Sequence, residues 1–104
     1  MITVDAEGDA VTAETDALVT GGTLALRSGG GSGVTPGDAS TKGFKAGVLA
    51  VIDDGALTID ASDDGVHSDG AVVLNGGTVE IATADDGVHA ELTLTINGGD
   101  VTVS

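Results

Sequence analysis

A word of five residues recurs without a gap: Asp63 to His67 reads DDGVH, and Asp85 to His89 reads DDGVH again, 22 residues later. The text after each word keeps the same register, with Asn75-Gly76-Gly77 answered by Asn97-Gly98-Gly99. One further step back lands on Gly43, where Thr41 to Ser62 carries apolar residues in the same columns. Gly8 to Ser28 is another unit, provided that a glycine-rich stretch of about 11 residues at 29–39 is set aside as an inserted loop; Ala10 lies 33 positions before Gly43. Ile2 and Val4 then fall one coil before Leu24 and Leu26. Such a period belongs to units that stack on one another, because a single unit cannot bury its apolar face alone.

The columns come in pairs two residues apart, the spacing of a strand with one buried face. Val11, Phe44, Val66 and Val88 share a column, and Ala13, Ala46, Ser68 and Ala90 the next. Ala17, Ala50, Val72 and Leu94 pair with Val19, Ile52, Leu74 and Ile96, and Leu24, Leu57, Val79 and Val101 with Leu26, Ile59, Ile81 and Val103. Glycines at 21–22, 55, 76–77 and 98–99 mark the sharp corners before each third strand. These features predict an all-β fold, a right-handed parallel β-helix of about four coils of 22 residues with three strands per coil. Residues 1–104 form one domain in this reading. A sandwich of hairpins would not need the same residue types to recur at a fixed interval. Phe44 is expected in the core, and Asn75 and Asn97 in a corner ladder beside Asp53 and Asp54.

Stacking has an electrostatic consequence. Asp63, Asp64, Asp85 and Asp86 occupy one corner of consecutive coils, so equivalent carboxylates stand about 5 Å apart and repel by on the order of a kcal/mol each at a surface dielectric. Lys42 lies in that column in the preceding coil and Asp9 in the first. Carboxylates with backbone carbonyls and no thiolate make a hard-oxygen site of the calcium kind, whereas magnesium would demand stricter octahedra. The metal-ligand candidates are therefore Asp63, Asp64, Asp85, Asp86 and Asp9, with Asp69 in a weaker row alongside Glu14 and Glu91. Turn chemistry is the alternative for all of them, since aspartate favours corners for its bonds to the backbone. His67, His89 and Lys45 fall in one outward column with Thr12. They are candidates for ligand contact, against an exposed polar ladder without a role. The only arginine, Arg27, falls in the row of Asp60.

Seventeen acidic residues against three basic ones give a formal net charge of -14, while 40% of the residues are hydrophobic. Such a surface repels nucleic acid and anionic membranes and attracts cations. No apolar run approaches a membrane span, so membrane insertion is not expected. The first residues lack the basic start and apolar stretch of a signal peptide, so a secreted protein would be represented here by its mature form. No cysteine is present, which excludes a thiolate site and leaves the compartment open. The chain lacks a phosphate loop, a nucleophile elbow and a zinc signature.

With DDGVHSDG, DDGVHAEL and the NGGTVEI corner and strand, the chain resembles the calcium-binding, carbohydrate-binding parallel β-helix proteins of bacterial cell surfaces, which are pectate-lyase-like in fold. The resemblance runs along the whole chain and is strongest from Thr41 to Ser104; the matching positions are Asp63, Asp64, His67, Asp85, Asp86 and His89. It implies calcium as cofactor, acidic polysaccharide such as polygalacturonate, and also cellulose, as partners, an extracellular or cell-surface location, and no catalysis; with one aromatic residue, expected in the core, direct stacking on cellulose is not expected. At Thr41-Lys42-Gly43-Phe44-Lys45 the word degenerates, which puts a site between the second and third coils in doubt. The expected function is a non-catalytic extracellular module binding acidic polysaccharide through calcium. The alternative is a structural subunit that stacks head to tail into a calcium-stabilised fibre, for which the end coils, with no visible cap, offer open edges. A lyase or hydrolase ranks third, because only Lys42, Lys45 and Arg27 are basic and no apolar pocket that would raise a carboxyl pKa can be read.

Overall fold

A computed structural model describes residues 1–35, 37 and 40–104; parts of the expected loop at 29–39, namely 36, 38 and 39, lie outside the described residues. Thirteen strands and no helix occur among the described residues. They are β1 (Ile2–Ala6), β2 (Val11–Ala13), β3 (Asp16–Val19), β4 (Thr23–Ser28), β5 (Phe44–Ala46), β6 (Leu49–Ile52) and β7 (Ala56–Ala61). The remainder are β8 (Val66–Ser68), β9 (Ala71–Leu74), β10 (Thr78–Thr83), β11 (Val88–Ala90), β12 (Thr93–Ile96) and β13 (Asp100–Val103).

Every strand pairs in parallel with the strand three places on, so three sheets form in the orders β1-β4-β7-β10-β13, β2-β5-β8-β11 and β3-β6-β9-β12. The register is that of the repeat: Val66 faces Val88, His67 faces His89, Val79 faces Val101 and Leu74 faces Ile96. Across the inserted loop the step widens as expected, with Val11 opposite Phe44 and Leu24 opposite Leu57. Strands this short cannot hold such a register by themselves. It is fixed because a slip of one residue would turn every inward side chain outward.

The alternation of each strand fills the space between the sheets. Phe44, Ile52, Leu57, Ile59, Val66, Val72, Leu74, Val79 and Ile81 are buried in one cluster. In the last of the described coils Leu94, Ile96 and Val103 are exposed. On the outside of one corner, Asn75 Nδ2 donates to Asp53 Oδ1 and Asn97 Nδ2 to Asn75 Oδ1, both at 2.7 Å, which is the expected ladder.

Two glycine columns make the coil close. Gly55, Gly77 and Gly99 have φ of 105°, 82° and 86°, the left-handed region where a side chain is disfavoured. Gly43, Gly65 and Gly87 are held to glycine by space. A Cβ on Gly65 would stand 2.4 Å from Ile81 Cγ2 and 2.7 Å from the Gly87 oxygen. The third residue of the DDG word thus lets the first strand of a coil begin directly over the third strand of the same coil.

Candidate functional site

The corner closed by that glycine is where β7 runs into β8 and β10 into β11. Three of the expected ligands come together there: Asp63, Asp64 and Asp85 each place a carboxylate oxygen within 4.8 Å of the others. Backbone geometry holds them. Asp63 Oδ1 accepts from the Asp64 amide at 2.9 Å, the Thr83 hydroxyl donates to the Asp63 carbonyl, and the Asp85 amide donates to Thr83 Oγ1 at 3.1 Å. Asp64 Oδ1 accepts from the Asp86 amide at 3.3 Å, tying one coil to the next.

The charges in this corner are unevenly balanced. Lys42 Nζ lies 2.8 Å from Asp63 Oδ2. Burial pushes the Asp63 carboxyl up, but the hydrogen bond and charge of Lys42 outweigh it and hold Asp63 below the ordinary carboxylate range. Asp85 has no such counter-charge. Desolvation, and then the charges of Asp64, Asp86 and Asp63, push it above that range.

A pH dependence follows in metal-free buffer. Asp85 has its folded pKa raised, so its contribution to stability is present at acid pH and is lost as pH rises through that raised value. Asp63 and Asp69, both lowered, act oppositely: their contribution is present at neutral pH and lost as pH falls through their lowered values. Asp85→Asn is therefore expected to raise the melting temperature slightly at neutral pH with chelator present and to have no effect once Asp85 is protonated in the parent. Thermal melts across the acid range check this; a neutral-pH melt lowered by the substitution contradicts it.

The histidines are not the exposed ladder that their outward column implied. His67 is only 7% exposed, flanked by Asp64 before its strand and Asp69 after it and stacked between Lys45 and His89 in the register. Its Nδ1 lies 2.8 Å from Asp64 Oδ2 and its Nε2 3.0 Å from Asp69 Oδ1, and this bond to His67 is the main cause of the lowered Asp69 carboxyl. His89 repeats the arrangement, with Nδ1 3.3 Å from Asp64 Oδ2 and 3.2 Å from Asp86 Oδ2, and Nε2 3.0 Å from Glu91 Oε1. The two rings have centroids 4.8 Å apart. Spacing along the chain sets the aspartate corner apart from the histidine column; in space Asp64, 3% exposed, joins them.

Other expected ligands lie elsewhere. Asp9 is outside the carboxylate group: its Oδ1 accepts from the Lys42 amide at 2.8 Å and from Ser40 Oγ at 2.6 Å, anchoring the far end of the inserted loop. Asp69 holds His67, and Asp86 stands beside His89. Lys45 Nζ is 3.5 Å from Ser40 Oγ and 4.0 Å from Asp9 Oδ2. On this face a depression of about 340 Å³ is lined by Thr12, Glu14, Lys45, Gly47 and Asp69. Lys42, Lys45 and Arg27 are each engaged by a carboxylate, so none stands as an unencumbered base.

A family model described as carbohydrate-binding domain-containing protein matches residues 1–87, which takes in Asp63, Asp64, His67, Asp85 and Asp86. No curated protein and no solved structure matches the chain.

Proposed function

The chain belongs to the carbohydrate-binding domain-containing proteins, and from that premise we propose that it is a non-catalytic extracellular module, a right-handed parallel β-helix that binds acidic polysaccharide of the polygalacturonate kind through calcium. The observation that carries this reading is the group of Asp63, Asp64 and Asp85, three oxygen donors within 4.8 Å of one another, with Asp85 raised by desolvation and then by the charges of its neighbours. The donor set fits calcium, which takes several oxygens in flexible geometry. Asp63, Asp64 and Asp85 would hold the ion, which would offset their charge and leave coordination positions for the oxygens of a uronate.

Charge supports an acidic sugar held through a cation. A chain of net charge -14 repels a polyuronate unless a cation stands between them, so binding without calcium would favour neutral sugars instead. Neutral sugar rings are gripped by exposed aromatic faces, and the only aromatic residue, Phe44, is buried. On the face beside the carboxylates, Lys45 supplies a cationic group at the depression, and His67 and His89 stand next to it in the register.

The test is retention on immobilised polygalacturonate. We expect the full chain to be retained with calcium, released by chelator, and not retained on cellulose. Retention that ignores chelator, or cellulose binding alone, overturns the reading, and release of unsaturated uronides would make the module an enzyme. The second reading, a subunit stacking head to tail into a calcium-stabilised fibre, draws on the exposed Leu94 and Ile96 and the open edges of β11, β12 and β13. Light scattering separates the two: particles that grow with chain concentration and calcium favour the fibre, and a constant mass favours the module.

A further inference from the structure

We propose that Asp64, His67 and His89 form a second cation site, one for a transition-metal ion of the zinc type, beside the all-oxygen group and sharing Asp64 with it. The Nδ1 atoms of both rings converge on one oxygen, Asp64 Oδ2, at 2.8 and 3.3 Å, and one donor atom from each residue falls within 4.8 Å of the others. Asp86 Oδ2 lies 3.2 Å from His89 Nδ1 but outside the group of three, which leaves the fourth position of a tetrahedral ion to water. A tetrahedral zinc ion with bonds of about 2.0–2.2 Å spaces its donors roughly 3.3 Å apart, so the side chains need only small adjustments to receive one.

The outer partners point the same way. Each ring has its far nitrogen, Nε2, 3.0 Å from a carboxylate, Asp69 for His67 and Glu91 for His89. Metal-binding histidines are oriented in this manner: the carboxylate holds the proton on one nitrogen and turns the lone pair of the other toward the metal. A neutral imidazole has one N–H, and each of these rings has carboxylates at both nitrogens. A cation at Nδ1 satisfies the second carboxylate without a second proton. The donor set of two imidazoles and carboxylate oxygen selects zinc, nickel or copper over calcium and magnesium.

Position gives the site its effect. Asp64 and His67 are buried, whereas His89 is a third exposed at its side chain, which leaves one side for entry. The two histidines belong to adjacent strands, β8 and β11, so an ion between them staples the fourth coil to the third. The repeat of DDGVH at one coil length is what brings the two nitrogens together.

The test uses the full chain and zinc chloride. Calorimetric titration is expected to show one zinc ion bound per chain, retained in a large excess of calcium, with a raised melting temperature. Cobalt in place of zinc is expected to give the absorption of a tetrahedral ion with nitrogen ligands. His67→Gln and His89→Gln should each abolish that spectrum, and Glu91→Gln, which removes only an orienting partner, should weaken zinc by about 10–100-fold. Zinc displaced ion for ion by calcium, an octahedral cobalt spectrum in the parent, or unchanged zinc affinity in both histidine variants would each overturn the site. Calcium titration of the same parent chain reads the carboxylate group separately, so either site can fail alone.

Discussion

Gly65→Ala is expected to destabilise the chain severely, lowering the melting temperature in chelator by about 10 °C or more. The added methyl group would meet Ile81 Cγ2 at 2.4 Å and the Gly87 oxygen at 2.7 Å. Neither neighbour can yield freely. Ile81 is buried between coils, and the Gly87 oxygen accepts the Val66 amide at 2.9 Å, a bond that joins two coils. Overpacking of a close-packed site costs about 1–3 kcal/mol and occasionally more, and a fixed backbone atom places this one at the upper end. For a chain near 100 residues each kcal/mol shifts the midpoint by about 4–8 °C, so the loss is a large part of a total stability of about 5–15 kcal/mol. Gly33→Ala is the control, since nothing lies within 4 Å of a Cβ there. It is expected to melt with the parent. Melting curves by circular dichroism decide the matter, and a Gly65→Ala midpoint equal to that of Gly33→Ala would show that coil closure does not depend on the missing side chain.

That result would also explain why so much of the fold could be read from the chain. Column positions such as Val11, Phe44, Val66 and Val88 are periodic because each faces the same neighbour one coil away, and the pairing of Phe44 with both Val11 and Val66 follows directly. The widened step across the inserted loop was legible for the same reason, as was the asparagine ladder. The site was legible only in part. Residue spacing tells which side chains are stacked, but not which way the backbone leaves a corner, and it is the turn at Asp64-Gly65 that swings a corner carboxylate under the histidine column. Burial of His67 was hidden for a related reason: an outward side chain is exposed only if its neighbours are small, and here Lys45, Asp69 and His89 cover it. Contacts of the loop follow no period at all. The buried bonds from Ser28 Oγ to the Thr41 oxygen at 2.6 Å and from Ser62 Oγ to Thr41 Oγ1 at 2.7 Å, like the anchoring by Asp9, had no repeated column to announce them.

Asp64→Asn is expected to abolish the calcium-dependent rise in melting temperature and to lower stability even without the ion. Two effects oppose one another in the metal-free chain. Neutralising one carboxylate relieves its repulsion with Asp63, Asp85 and Asp86, on the order of a kcal/mol at these separations. Against this, Asp64 is buried, accepts from the Asp86 amide, and has His67 Nδ1 at 2.8 Å and His89 Nδ1 at 3.3 Å. An asparagine amide keeps one acceptor and turns two donors toward groups that also donate, and an unsatisfied buried polar group costs about 1–3 kcal/mol. Loss of the buried hydrogen bonds outweighs the relief of repulsion, so the variant melts below the parent in chelator. In calcium the gap widens, because an ion present at 100 times its dissociation constant stabilises the folded parent by about 2.7 kcal/mol and the variant by little. Asp86→Asn provides the contrast: its carboxylate is largely exposed, and an exposed pair is worth about 0–1 kcal/mol. Scans of parent and both variants, each with chelator and with calcium, give the differences needed. A calcium-induced shift surviving intact in Asp64→Asn would mean that the ion, if one binds, is held by some other part of the surface, and the stacked corner would then be a product of the repeat alone.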